Sequence, residues 1–165
     1  MSSLAIVDID GVVANSDKRF ELARTSFGKI DWITAFDPAN VPLDTLVPGA
    51  DVAIAQLEQL NYEIVYLSSR PEHMYQATWT WLNELNLAGP QIILKPDIAK
   101  YVKTLAWKAE RVQELAAKHE SVIFIDDEEA NTTAVQNMVA SGQVTNVQCF
   151  ASLAEALVLK ESRQV

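Results

Sequence analysis

Five short apolar runs, each followed by a stretch with helical spacing, set the rhythm of the chain: Leu4 to Ile9, Tyr62 to Leu67, Gln91 to Leu94, Val122 to Ile125 and Asn146 to Phe150. All are rich in β-branched or aromatic residues. The first, second and fourth are nearly continuous in apolar character, as expected of strands covered on both faces of a parallel sheet. Val52, Ala53, Leu57 and Leu60 follow Pro48-Gly49, while Met74, Thr78, Trp81, Leu82 and Leu85 follow Pro71. Leu105, Ala109, Val112 and Ala116 recur at three and four, the spacing of one buried helix face. A further helix runs from about Glu128 to a stop at Gly142, and Ser152-Leu-Ala-Glu155 is a capping box opening the last one. Strand followed by helix, about five times over, predicts an α/β domain. Its core is a doubly wound, Rossmann-like parallel sheet of about five strands with helices on both faces and right-handed crossovers. Ligands in such sheets collect beyond the carboxyl ends of the strands, so the polar residues just after each apolar run become the candidates for function.

No repeat, low-complexity stretch or long Pro/Gly linker divides the 165 residues, which suit one packed core. The least regular stretch, about 13–46, reads as a small lid-like insertion. Within it, 17–27 has helical character and 31–42 reads as an irregular loop, with Trp32 and Phe36 as packing residues. The single cysteine, Cys149, excludes an intrachain disulfide, and the two histidines lack metal-ligand spacing, so a bound metal is expected to be held by oxygen. The start of the chain does not read as a secretory signal, and no apolar run approaches the roughly 20 residues that span a bilayer. A cytoplasmic protein without membrane partners is expected. A net charge of -9 argues against a generally basic, nucleic-acid-coating surface. Lys95, Lys100, Lys103 and Lys108 nevertheless face Asp97 alone within one short stretch, which reads either as a solvated helix face or as a rim facing a polyanion.

Chemistry gathers after the strands. The first run ends in Asp8-Ile9-Asp10-Gly11-Val12: two carboxylates at a strand end, with a glycine that lets the chain turn at once. Buried acids need a cation or donors, although strand-end capping accounts for the same letters. The second run ends in Ser68-Ser69-Arg70-Pro71, a hydroxyl and a guanidinium suited to phosphate, or simply a capping serine and a solvated arginine. The fourth runs into Asp126-Asp127-Glu128-Glu129. The last two acids suit a helix N-terminus, whereas adjacent Asp126 and Asp127 offer hard oxygen ligands of the kind Mg²⁺ takes. Lys108, beside an apolar helix stripe, reads by itself as a snorkelling lysine.

Taken in order, Asp8-Ile-Asp10-Gly11-Val, Ser68, Lys108 and Asp126-Asp127 resemble the four motifs of the haloacid-dehalogenase-like hydrolases over most of the chain. The stretch from Ser68-Ser-Arg-Pro through Thr78-Trp-Thr-Trp-Leu82 to Lys95-Pro96 and Lys108 also resembles the 3′-phosphatase domain of phage-type polynucleotide kinases. Ser69 stands where glycine is commoner in that group, and Lys95 where arginine is frequent. The resemblance implies a Mg²⁺-dependent phosphate monoester hydrolase working through an aspartyl-phosphate. Asp8 would be the nucleophile and Asp10 the acid and base; Ser68 and Lys108 would position phosphoryl oxygens. Asp8, the backbone carbonyl of Asp10, Asp126 and Asp127 would be the metal site, with Ser69 and Arg70 facing substrate. The partner is then a phosphorylated substrate, and a small or absent cap admits a nucleic-acid end as readily as a nucleotide or small metabolite.

Two other readings remain open: a phosphatase of mononucleotides or small phosphorylated metabolites, and a noncatalytic phosphate-binding module akin to a receiver domain. Dinucleotide binding lacks its Gly-x-Gly-x-x-Gly after the first strand, and no Walker-type loop supports kinase activity.

Overall fold

The computed structural model describes residues 2–161. In chain order the elements are β1 (Ser3–Val7), β2 (Ala14–Asn15), α1 (Asp17–Leu22), α2 (Trp32–Ala35), β3 (Thr45–Leu46), α3 (Ala50–Gln59), β4 (Tyr62–Pro71), α4 (Tyr75–Glu84), β5 (Gln91–Lys95), α5 (Thr104–Ala116), β6 (Ser121–Ile125), α6 (Glu129–Ala140), β7 (Val147–Phe150) and α7 (Leu153–Glu161). Short 3-10 turns at Pro38–Leu43, Glu72–Met74 and Asp97–Ala99 join them. The main sheet has the order β5-β4-β1-β6-β7 with every pairing parallel, so each of the five apolar runs became a strand.

Strand pleating divides the core in two, because alternate residues face opposite ways. Ala5, Val7, Ile64, Tyr66, Ile123 and Ile125 pack with α3, α4 and α7 on one face. Leu4, Ile6, Val65, Leu67, Val122 and Phe124 pack with α5 and α6 on the other. Both faces are therefore dry, which explains the unbroken apolar runs. The chain winds outward from β1 to β5, then crosses back to β6, so the switch in winding lies beside β1. Its carboxyl end carries Asp8 and Asp10.

Residues 14–46 leave the sheet through an antiparallel neck, Ala14 opposite Leu46 and Asn15 opposite Thr45. Two local expectations change here. The segment expected as a loop contains α2 and a 3-10 turn because its acids act as caps: Asp31 accepts from Ile33 N–H (3.1 Å), and Asp37 from Ala39 N–H (2.9 Å). Helix α1 stops at Leu22, short of Phe27, because Gly28 at φ 75° lets the chain turn, with Thr25 N–H donating to the Lys29 carbonyl (2.8 Å). Trp32, expected as packing filler, stacks on Phe36 but remains 58% exposed. Leu105, expected on the buried face of α5, is exposed as well; Trp107 and Lys108 are the buried residues of that turn.

Candidate active site

The two acidic strand ends are brought side by side by register. Val7 pairs with Ile125, and Asp8 N–H donates to the Ile125 carbonyl at 2.9 Å, so Asp8 and Asp126 emerge as neighbours. Lys108 reaches between them from α5 and is 1% exposed. Its Nζ lies 3.0 Å from Asp8 Oδ1 and 2.6 Å from Asp126 Oδ2. The sequence pattern of α5 alone pointed to a lysine flanking the apolar stripe, whereas the ammonium is buried and doubly paired. Burial opposes its charge, but the two carboxylates prevail and raise its pKa.

Asp8, Asp126 and Asp127 each offer a carboxylate oxygen within 4.8 Å of the others. Burial drives Asp8 up to about 7; Lys108 opposes this, while Asp126 and Asp10 add to it. Burial and Asp126 also raise Asp127. Crowded, partly dehydrated carboxylates of this kind match a hard divalent cation, which would stabilise their charge against both burial and mutual repulsion. The donor set therefore fits Mg²⁺. Asp126 is held in place by Glu128 N–H (3.0 Å) and by the Asn131 amide, 3.1 Å from each of its oxygens. Gly11 makes the approach of the two loops possible. Its φ is 84°, and a Cβ there would lie 2.1 Å from Asp127 Oδ2.

Asp10 faces another way. Its carboxylate takes Arg70 Nε and Nη2 as a fork (2.9 and 2.7 Å), Arg19 Nη2 (2.7 Å) and the Ser16 hydroxyl. Both arginines are fully buried. They also clasp buried Asp44, through Arg19 Nε (2.9 Å) and Arg70 Nη2 (2.6 Å). Their remaining donors go to the Ala35 carbonyl and the Thr78 hydroxyl. Burial alone would raise the Asp10 pKa, but Arg70 and then Arg19 lower it to about 2. Asp10 remains 25% exposed and lines the cavity. The acid cluster does not include its carboxylate; the metal role expected of it rests on the backbone carbonyl.

The cavity over these groups has a volume of about 720 Å³, and its walls include Asp8, Asp10, Ser69, Lys103, Lys108 and Asp127. Three expectations change. Arg70, which the resemblance implied would face substrate, is walled off from the cavity, its donors taken by Asp10, Asp44 and Thr78. Ser68 is fully buried, its Oγ accepting from Arg70 N–H at 3.2 Å, and Ser69 takes its place in the wall. The lysine-rich stretch does not act as one rim. Lys95 is buried with its Nζ on the Val102 carbonyl, and Lys108 is in the site, leaving Lys100 and Lys103 exposed. Sequence reading also missed Arg19, Asp44 and Asn131. The available signal was the need of buried acids for partners, and Arg19 lies one short helix from Asp10.

A family model described as PITM 1-3, LNS2 domain matches residues 5–136, from β1 into α6 and across every acid of the site. The chain belongs to the LNS2 domain family. Solved structures agree on the fold. A chain of the Pnkp1/Rnl/Hen1 RNA repair complex superposes with a TM-score of 0.66 at 17% identity, over 91% of this chain and 42% of that one. A second structure of that complex gives 0.62 at 19% identity, over 91% and 45%. A haloacid dehalogenase-like hydrolase from Streptococcus pneumoniae gives 0.59 at 12% identity, over 90% and 83%. The D,D-heptose 1,7-bisphosphate phosphatase of B. bronchiseptica, complexed with magnesium and phosphate, gives 0.51 at 15% identity, over 97% and 99%. The LNS2 chain thus has the haloacid-dehalogenase-like fold and spans less than half the length of the RNA-repair chains. No curated protein sequence matches it. Among the described residues, no helix is long and apolar enough to cross a membrane.

Proposed function

We propose that this LNS2 domain is a Mg²⁺-dependent phosphate monoester hydrolase that forms an aspartyl-phosphate on Asp8, with a nucleotide or nucleic-acid 3′-phosphate as substrate. The observation that carries the reading is Lys108, buried and bridging Asp8 and Asp126 at 3.0 and 2.6 Å. A buried ammonium between strand-end carboxylates is a device for holding a nucleophile and offsetting phosphoryl charge. The similar structures, an RNA repair complex and a sugar phosphate phosphatase, support phosphoester substrates without separating them.

In the first step an Asp8 oxygen attacks phosphorus, the ester P–O bond breaks and the leaving oxygen departs with a proton from Asp10. In the second, water attacks the phosphoaspartate, its proton passes to Asp10 and the P–O bond to Asp8 breaks. Asp8, the Asp10 carbonyl, Asp126 and Asp127 would hold Mg²⁺, which supplies charge to the transferring oxygens. Asp10 is well prepared for the second step as an anion. For the first it must arrive protonated, a state that Arg19 and Arg70 oppose, so a poor leaving group is the harder case.

The same clamp favours a second reading, a noncatalytic phosphate-binding module. Phosphate release from 3′-phosphorylated and 5′-phosphorylated oligonucleotides, nucleotides and small sugar phosphates, with Mg²⁺ or EDTA, separates the two. The hydrolase reading expects Mg²⁺-dependent release that Asp8→Asn lowers by several orders of magnitude. Saturable binding with no release from any ester would replace it with the second.

A further inference from the structure

We propose that Phe20 and Trp32 form a platform for the nucleobase of the phosphorylated substrate. This inference deepens the nucleotide reading above and rests on it.

The first ground is position. Phe20 lies in the wall of the cavity that holds Asp8 and Lys108. The Arg19 guanidinium sits 5.1 Å from its ring centroid and 2.7 Å from the Asp10 carboxylate, so the ring is one guanidinium away from the reacting groups. A phosphate bound at Asp8 and Lys108 would share this cavity with the Phe20 ring.

The second ground is rigidity. Phe20 meets Trp32 edge to face (6.3 Å, 83°), and Trp32 lies nearly parallel to Phe36 (5.3 Å, 26°). Helix α2 is capped by Asp31, whose N–H also donates to the Ala23 carbonyl (2.8 Å). The indole is thus braced on two sides and still more than half exposed. A braced aromatic surface that continues from the Phe20 ring of the cavity wall loses little freedom when a flat partner settles on it.

The third ground is the chemistry of the wall. Asn15, Thr104 and Ser69 share it with Phe20, and Lys103 adds a cation. An acyl chain over Phe20 would leave those amide and hydroxyl groups dehydrated without partners. A base offers a π-face to the rings and hydrogen-bonding edges to the polar groups.

Binding decides the matter independently of turnover. With Asp8→Asn protein and Mg²⁺, calorimetry compares adenosine 3′-phosphate with a ribose phosphate lacking the base, and a 3′-phosphorylated oligonucleotide with one ending in an abasic sugar. The expected preference for the base-bearing ligand is roughly tenfold or more, the scale of one base–aromatic stack. It should fall toward one in Phe20→Ala and Trp32→Ala and be kept in Trp32→Phe. Because each protein is read as a ratio, a general loss of folding does not imitate the effect. The mononucleotide and oligonucleotide pairs show which source supplies the base. No base preference in the protein with both rings, or a preference unchanged by the alanine variants, overturns the platform. So does binding to phosphatidylcholine vesicles containing phosphatidate that requires Trp32 while nucleotides do not bind. If phosphate release fails while the base preference and its loss in the variants hold, the hydrolase reading falls and the platform stands.

Discussion

Residue scale is where the site is most unusual, because its charges are buried in pairs. Asp10 and Asp44 balance Arg19 and Arg70 inside a water-poor pocket. Removing one member leaves a dehydrated charge, which costs about 3–5 kcal/mol. Arg70→Met should therefore lower the urea-melt stability by that amount. An exposed arginine, as the sequence alone allowed, would change it by well under 1 kcal/mol. Asp8 supplies a second test. Its folded pKa of about 7 lies above the ordinary 3.8, so folding favours the protonated form. The stability from this group is full below pH 3.8 and is lost as pH rises through about 7. A divalent cation reverses that loss by binding the ionised carboxylates. The rise in Tm caused by Mg²⁺ should hence grow between pH 5 and 8, and this growth should be much smaller in Asp8→Asn. Both acids were legible as a strand-end pair, but their opposite environments were not. Arg19 is 9 positions from Asp10 and Arg70 is 60, and only the fold places both guanidiniums on one carboxylate.

Element scale shows what periodicity can and cannot deliver. The five strands were readable because both faces of the sheet are dry, so their apolar runs are nearly continuous. The capping box before α7 was readable for a local reason, and Glu155 N–H does meet Ser152 Oγ at 3.2 Å. Helix α2 was not, because with only four residues it makes less than two turns of pattern; what defines it is the Asp31 cap. Loop approach was only half legible. Gly11 was readable as a turn residue, yet its closeness to Asp127 depends on β1 and β6 being neighbours. That closeness yields a prediction. Gly11→Ala places an L residue at φ 84°, costing about 1–2 kcal/mol, and pushes the Asp127 carboxylate aside. Asp127 is an exposed side chain, so the fold should survive with a small fall in Tm. Its Mg²⁺ affinity should fall at least tenfold, measured by calorimetry. Equal effects on Tm and affinity would mean that the glycine serves the turn alone.

At the scale of the whole molecule, the sheet sets the strand-end acids at the switch in winding order, while two peripheral segments border the cavity. One is the 14–46 insertion and the other is the connection from β5 to α5. His73 ties them together: its Nε2 lies 3.0 Å from the Phe36 carbonyl, and its Nδ1 lies 2.9 Å from Asp97 Oδ1. Both partners only accept, so both ring nitrogens must carry a proton for the tie to be complete. The hydrogen bond to Asp97 raises the His73 pKa, burial resists, and the Phe36 carbonyl and the charges of Asp97 and Asp37 add to the rise. A raised folded pKa means that the stabilising contribution is full below the ordinary histidine value of 6.5 and is lost as pH climbs through the higher one. Above that range one of the two bonds must break. Hydrogen exchange in the segments around Phe36 and Asp97 should then quicken with pH beyond the chemical increase seen in α5, measured on the full chain between pH 5.5 and 8.5. His73→Ala should exchange quickly in both segments at every pH, with no step. A step that persists in His73→Ala would show that another group loosens the insertion. The tie was hidden in the sequence, since His73 and Phe36 are 37 residues apart and neither carries a motif. It follows from the winding order, which folds the insertion back over the same strand ends that present the acids.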